Sequence, residues 1–211
     1  MMDAVVRRVI EKPMSRGAAA IDRPGITPDR LTLAGLVVGL ASAAAAAAQL
    51  WWLALVLWLL SRLADGLDGP LARRRKQASV NKAAPASEAG GFLDITADFV
   101  VYGSTVVGVA VGVAAESAAP WWPFLLVLLA YYVNGTAFLA FSSIAERTGR
   151  TIEDGRSLSF LGGLAEGTET IIVHSVWLLM PAYAWQIALG WAVVVAVSAA
   201  QRVVGGYRDL A

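Results

Sequence analysis

The sequence contains no cysteine and only one histidine, and both shortages restrict its chemistry. Without cysteine there can be no disulfide and no thiolate metal ligand. His174 lies within an apolar run and cannot build a zinc centre by itself. An excess of charge is also lacking: the formal net charge is +1, so no strongly basic surface indicates binding to nucleic acid. Any metal site must therefore rely on oxygen ligands.

Apolar residues are abundant, at 57% of the chain with a mean hydropathy of +0.61, and they are concentrated in long runs. This pattern is typical of integral membrane proteins, because about 20 apolar residues cross the hydrocarbon core as a helix. We predict an all-α membrane protein with six transmembrane helices, near residues 31–50, 51–72, 92–114, 121–145, 162–180 and 183–204.

Proline residues mark two ends of these runs. Pro28 and Asp29 are expected to open the first span, as a proline in the first turn and a capping acid. The second span is expected to end among the polar residues after Arg62, with an irregular last turn at Pro70. Arg62, three residues before Asp65, either neutralises the nearby acids or extends its charged end toward the membrane surface, and we favour the second.

The N-terminal segment, residues 1–24, has acidic residues and no sustained apolar core, so it does not resemble a signal peptide. Its valines and isoleucine fall on one helical face, with basic and acidic residues opposite: Val5, Val6, Val9 and Ile10 against Arg7, Arg8, Glu11 and Lys12. We predict an amphipathic helix on the membrane surface, followed by a six-helix domain over residues 25–211.

The basic residues predict the orientation. All 17 Lys and Arg lie in the first 30 residues, the 62–82 region, the 147–156 loop or the stretch from Arg202. The other connections contain none. By the positive-inside rule, both termini and the 62–82 region face the cytoplasm. We therefore expect a multi-pass protein of the bacterial inner membrane.

Four aspartates stand at helical spacing where the second apolar run ends and the third begins: Asp65, Asp68, Asp94 and Asp98. Residues three or four apart share one face of a helix. If the two helices pack antiparallel, the four carboxylates converge at the cytoplasmic end. Clustered carboxylates need cations to stay ionised, and oxygen ligands without His or Cys favour Mg²⁺ or Mn²⁺. The spacing predicts a metal site at a membrane surface.

A carboxylate site of this kind suits phosphoryl chemistry. Two divalent cations can clamp a pyrophosphate and stabilise both the attacking and the leaving oxygen. An aspartate outside the tightest metal shell can take the proton of an attacking hydroxyl, and Arg73 can add a fixed charge to a phosphate. A prenyltransferase and an ion-conducting or transporting protein would also use such acids. A catalytically silent relative would keep the acids as well, so these alternatives stay open.

The aspartates belong to a longer pattern, Asp65-x-x-Asp68-Gly69-x-x-Ala72-Arg73 followed by Gly90-x-x-x-Asp94-x-x-x-Asp98. It resembles the signature of the CDP-alcohol phosphotransferases, and the resemblance extends over most of the chain. Members of that family displace CMP from a CDP-linked lipid or alcohol and join the phosphoryl group to a second alcohol. The resemblance therefore implies a metal-dependent membrane transferase of phospholipid biosynthesis, with a homodimer expected.

The resemblance also implies individual roles. Asp65, Asp68 and Asp94 would be the principal metal ligands of a two-metal site. Asp98 would be the general base and would also touch the second metal. The residues implied at the nucleotide are Asp68, Gly69, Ala72, Arg73 and, from the start of the first span, Thr32. One departure concerns residues 80–87, which lengthen the loop between the two halves of the pattern beyond the family's usual spacing.

A second polar region precedes the fifth span and contains Arg156, Glu166 and Glu169. Acids at the entrance of a span suggest an acceptor pocket, with Arg156 available to an anionic group. They can equally be acids that favour the positive end of a helix dipole. Both interpretations stay open for Glu166, and we favour the pocket for Glu169. For His174 we favour a buried histidine bonded to a neighbouring helix over a catalytic one. The identity of the acceptor alcohol does not follow from the sequence.

Overall fold

A computed structural model describes residues 2–78, 88–150 and 162–211 and contains seven α-helices and no strand within these ranges. The all-α prediction is confirmed for them. The helices are α1 (Met2–Ile21), α2 (Pro28–Ala47), α3 (Trp51–Ala78), α4 (Glu88–Ser117), α5 (Trp122–Thr148), α6 (Gly167–Leu179) and α7 (Ala184–Leu210). A short 3₁₀ turn, Pro181–Tyr183, joins the last two helices.

Each predicted span corresponds to one of the helices α2 to α7, but not all of these helices are apolar enough to be identified as spans. Within the described ranges, four are long and apolar enough to cross a membrane: Pro28–Ala47, Ala89–Ser117, Trp122–Thr148 and Pro181–Leu210. Helix α3 carries the charged motif along its second half, and α6 has only 13 residues. The count of six spans therefore stays a prediction.

The start of α2 differs in detail from the expectation. Pro28 is indeed the first helical residue, but the cap is Thr27, whose Oγ1 accepts a hydrogen bond from the Arg30 backbone N–H at 3.2 Å. Thr27 has the extended backbone that a capping residue requires, whereas Asp29 already lies inside the first turn. The prediction that Asp29 is the cap is wrong by two residues.

Helix α3 does not end within the motif, which corrects the second expectation based on proline. It runs through Pro70 and continues to Ala78, so that Arg73, Arg74 and Arg75 belong to the helix. Proline removes one backbone hydrogen bond and crowds the carbonyl four residues earlier, here that of Gly66. Packing of α3 against both α1 and α2 compensates for that loss.

Glycines bring α2, α3 and α4 together with their backbones almost in contact. A Cβ on Gly108 would overlap the Ala43 carbonyl oxygen, and one on Gly112 would overlap that of Ala46. On the other side of α2, a Cβ on Gly35 would lie 3.4 Å from the Ser61 carbonyl oxygen. Small residues permit this close approach between helices. The three helices therefore form one tightly packed unit, which carries all four aspartates.

Helices α5, α6 and α7 pack around large aromatic side chains. Trp177 of α6 is fully buried and meets Phe124 of α5 edge to face, with ring centroids 5.7 Å apart. Trp58 of α3 is also fully buried and donates a hydrogen bond from Nε1 to Ser175 Oγ at 3.1 Å. These contacts attach the second group of helices to the unit that carries the aspartates.

Candidate active site

Three of the four aspartates converge as the spacing predicts. One carboxylate oxygen from each of Asp65, Asp68 and Asp94 lies within 4.8 Å of the others. Asp65 and Asp68 occupy one face of α3, one turn apart, and Asp94 lies in the second turn of α4. Three hard oxygen donors at this separation fit a divalent cation such as Mg²⁺ or Mn²⁺. We call these residues the carboxylate triad.

Asp68 is the most enclosed member of the triad, with 8% of its surface exposed. Thr32 Oγ1 donates a hydrogen bond of 2.6 Å to Asp68 Oδ2 and so joins α2 to α3 at the site. The family resemblance implies a place for Thr32 at the nucleotide. In the structure its hydroxyl contacts a triad carboxylate, at the edge of the same site.

Asp98 lies beside the triad and is paired with an arginine. Arg62 Nη1 donates to Asp98 Oδ1 at 2.6 Å and lies 3.7 Å from Asp65 Oδ2. The expectation that Arg62 extends toward the membrane surface is wrong: only 8% of the residue is exposed, and it faces the interior. The position of Arg62 three residues before Asp65, on the same helical face, was the available signal for the contact between these two residues.

The remaining motif residues border the triad. Gly69 lies beside Asp68, and a Cβ on it would be 3.3 Å from Arg73 Nη1, so the exposed Arg73 side chain folds back over this glycine. Ala72 is half-buried on the same helix. Gly90 lies one turn before Asp94 in α4.

The N-terminal helix lies against the same turn of α3. A Cβ on Gly17 would meet Leu67 Cδ2 at 2.9 Å, and Met14 Sδ lies close to Gly66. Beyond the end of α1, Asp22 accepts hydrogen bonds from Arg75 Nε at 2.9 Å and Arg74 Nε at 3.1 Å. The bond from Arg75, supported by Arg74, holds the pKa of the Asp22 carboxyl below its usual value.

The predicted acceptor residues are only partly described. Arg156 and the inserted residues 80–87 lie outside the described ranges. Glu166 is the N-cap residue of α6 and accepts a hydrogen bond from the Gly163 backbone N–H at 3.1 Å, and Glu169 lies in the first turn. Their positions satisfy the helix-start interpretation and do not test the pocket.

The segment before α6 also contacts a residue that the sequence analysis missed. Arg202 of α7 is 4% exposed, and a Cβ on Gly163 would lie 3.3 Å from its Nε. Ser198, one turn earlier, accepts a hydrogen bond from the Ala165 backbone N–H at 3.3 Å. In the sequence, Arg202 served only as a marker of orientation, and nothing in its neighbours indicated burial.

His174 is a buried histidine bonded to another helix, as predicted. Its Nε2 lies 2.9 Å from Tyr131 Oη on α5, and Tyr131 Oη also accepts a hydrogen bond of 2.7 Å from Trp191 Nε1 on α7. The imidazole stacks on Trp177 with ring centroids 4.6 Å apart. It therefore connects α5, α6 and α7 and does not reach the triad.

Comparison of the sequence with family models matches residues 25–199 to the CDP-alcohol phosphatidyltransferase model. Among curated proteins, the chain is 37% identical over 188 residues to the inner membrane protein YnjF of Escherichia coli, covering 87% of this chain and 84% of that protein. It is 31% identical over 107 residues to archaetidylinositol phosphate synthase of Pyrococcus horikoshii, covering 51% and 53% respectively.

Solved structures of the same fold include phosphatidylinositol phosphate synthase of Mycobacterium tuberculosis. The form with CDP-DAG bound has a TM-score of 0.71 at 20% identity and covers 92% of this chain and 93% of its own. The form in complex with manganese and citrate has a TM-score of 0.67 at 21% identity and covers 92% and 88%. At this level of identity the likeness establishes the fold.

Proposed function

The chain belongs to the CDP-alcohol phosphatidyltransferase family, and from this premise we propose that it transfers a phosphoryl-linked group from a CDP-linked donor to an alcohol and releases CMP. The observation that carries the proposal is the convergence of Asp65, Asp68 and Asp94 inside the family motif. CDP-diacylglycerol is the proposed donor, and the CDP-DAG bound to the mycobacterial structure of the same fold supports this choice.

The proposed cofactor is Mg²⁺ or Mn²⁺, held by the triad. The donor set fits either ion, and manganese in the mycobacterial relative supports the assignment. When bound, two such ions would neutralise the diphosphate oxygens and the charge that develops on the departing CMP. In this proposal Asp98 contacts the second ion, as the family resemblance implies, while Gly69, Ala72, Arg73 and Thr32 border the nucleotide.

Asp98 is proposed as the general base. It takes the proton of the acceptor hydroxyl as that oxygen attacks the phosphorus that carries the lipid. The new oxygen–phosphorus bond forms while the bond between this phosphorus and the oxygen of the CMP phosphate breaks. The electron pair of the broken bond leaves with CMP, and the proton stays on Asp98. No oxidant or reductant is required.

The acceptor is proposed to enter beside the segment before α6. Glu166 and Glu169 are the described candidates, with Arg156 in the neighbouring sequence. We place this site, both termini and the triad on the cytoplasmic side of the inner membrane, because the basic residues are confined to those segments. Similarity to an inner membrane protein supports the location, and a homodimer is proposed by analogy with the family.

The decisive experiment offers the purified chain CDP-diacylglycerol with Mn²⁺ or Mg²⁺ and a panel of alcohols. The panel contains glycerol 3-phosphate, inositol phosphate and serine. We expect metal-dependent CMP release with at least one acceptor, and mass spectrometry of the lipid product identifies which. Absence of CMP release with every acceptor, from protein that still binds Mn²⁺, would indicate a catalytically silent relative.

A further inference from the structure

Arg62 is the one buried cation in contact with the described aspartate cluster, and the family signature does not include its position. We propose that Arg62 is a positioning residue that holds the Asp98 carboxylate beside the carboxylate triad but outside it. Asp98 is thereby kept available as a base and is not lost as a fourth ligand of the first ion. The inference rests on the proposed function only where it treats Asp98 as the base.

The guanidinium is fixed on several sides, which is the first argument for the proposal. Its carbon lies 5.2 Å from the centre of the Trp58 ring and 4.9 Å from that of Tyr102. Its Nη2 donates to Ser61 Oγ at 3.1 Å. Rings that face a cation attract it, and a planar guanidinium held in this way has little freedom to follow the carboxylate. The arginine therefore positions the aspartate.

The support for Arg62 continues into the backbone of α2. Ser61 Oγ donates its own proton to the Gly35 carbonyl at 2.7 Å, so its lone pairs face the guanidinium. A Cβ on Gly39 would come within 2.8 Å of Ser61 Oγ and 2.7 Å of Val101 on α4. Helices α2, α3 and α4 therefore meet at this layer. The support for the Arg62–Asp98 pair extends from Ser61 of α3 to the backbone of α2 and to Val101 of α4.

Charge gives the second argument. Four carboxylates face one arginine, which leaves an excess of negative charge for a metal to neutralise. Arg62 nevertheless lies 3.7 Å from Asp65, a triad member, and its positive charge opposes a divalent cation there. If Arg62 only stabilised the fold, its loss would weaken metal binding. If Arg62 positions Asp98 and competes with the metal for the same acids, its loss must instead strengthen metal binding while turnover falls.

The two roles therefore predict opposite changes in metal affinity. We would titrate the full-length chain with Mn²⁺ in the absence of nucleotide and follow free Mn²⁺ by electron paramagnetic resonance. In Arg62→Gln we expect Mn²⁺ to bind about tenfold more tightly, with Asp98 recruited to the metal, and kcat for CMP release to fall. Arg202→Gln removes another buried arginine, on α7 beside Gly163 and Phe138, and should leave Mn²⁺ binding as in the wild type. Unchanged or weaker binding in Arg62→Gln would overturn the proposal.

Arg62→Lys covers the case in which the glutamine variant does not fold. It retains the charge but not the fork that reaches Asp98 and Ser61 together. We expect wild-type Mn²⁺ affinity, an unchanged KM for the donor and a kcat lowered about tenfold. Wild-type kcat would contradict the positioning role. If the wild-type chain releases no CMP, the proposed function fails, but the Mn²⁺ titration still decides whether Arg62 and the metal compete.

Discussion

The two groups of helices are built in different ways. In the metal half (α2, α3 and α4) backbones meet through glycine, whereas in the aromatic half (α5, α6 and α7) large rings fill the space between helices. A glycine contact fixes the separation of two backbones, because a carbonyl oxygen cannot move aside as a side chain can. The triad needs its carboxylates held to within fractions of an ångström, and the metal half provides this rigidity.

The aromatic half has different requirements. Aromatic and histidine contacts hold α6 near the site through side chains, which can be exchanged without moving the backbone of the triad. We propose that the metal half holds the metal chemistry and that the aromatic half, beside the proposed acceptor site, determines the choice of acceptor.

The largest expected effect is on metal binding, which should depend on the metal half and not on the aromatic half. Asp94→Asn removes a triad ligand, so we expect Mn²⁺ binding to be lost and CMP release to fall at least about a thousandfold. Glu169→Gln is the matched change in the aromatic half and should leave Mn²⁺ affinity unchanged, whatever it does to the KM for the acceptor. Mn²⁺ titration and CMP release measure both. Loss of Mn²⁺ binding in Glu169→Gln would show that the metal site is not confined to the first half.

The next prediction tests the glycine contacts. In Gly108→Ala the new methyl group must push α4 away from the Ala43 carbonyl, so we expect a destabilisation of about 3 kcal/mol and weaker Mn²⁺ binding. Thermal unfolding in detergent and Mn²⁺ titration would measure it. Gly103→Ala is the control, since a Cβ there meets nothing within 4 Å and lies on the same helix. Equal behaviour of the two variants would mean that close backbone contact does not hold the site.

The two halves also differ in how far the sequence predicts them. Local spacing alone brings Asp65 and Asp68 to one face of α3, and the motif links Asp94 of α4 to them. Thr32 and Asp98 were assigned to the site, but their partners depend on how three helices pack. The helix beyond Pro70 was missed because α1 and α2 support α3 there, and support of this kind is not visible in local sequence.

Burial of charge was the least predictable feature. An arginine near the end of a membrane helix usually extends toward the surface, and this rule gave the wrong direction for Arg62. The Trp58 ring, one turn earlier on α3, and the distant Tyr102 and Asp98 of α4 reverse the preference. Arg202 is buried for a comparable reason, next to a Gly163 that lies far away in the chain. Contacts between distant segments decide the position of both arginines.

A smaller effect is expected in the aromatic half from Tyr131→Phe. The change removes the hydroxyl that joins His174 and Trp191 and leaves two buried nitrogen groups without this partner. We expect a loss of about 2 kcal/mol in the free energy of unfolding. Mn²⁺ affinity and kcat should stay within about twofold of the wild type, because the Tyr131 hydroxyl is connected to the triad through side chains and not through close backbone contacts. A large loss of Mn²⁺ affinity would show that the halves are mechanically coupled.

The smallest effect is expected at the outer surface of the metal half, where charge and not close packing joins Asp22 to Arg74 and Arg75. Asp22→Asn should lower the melting temperature slightly at neutral pH and low salt. Because the folded pKa of Asp22 is depressed, its contribution exists above the unfolded pKa and disappears as the pH falls through the folded value.

Melting curves across pH and salt would separate this contact from the glycine contacts. The difference between Asp22→Asn and the wild type should vanish at low pH and also in high salt, which screens exposed charges. The loss in Gly108→Ala should persist under both conditions, because steric overlap does not depend on charge. Asp209→Asn is the charge-matched control, since the described contact of Asp209 is through its backbone carbonyl to Arg150. A difference for Asp22→Asn that survives high salt would mean that hydrogen bonds, and not screened charge, account for the contribution of Asp22.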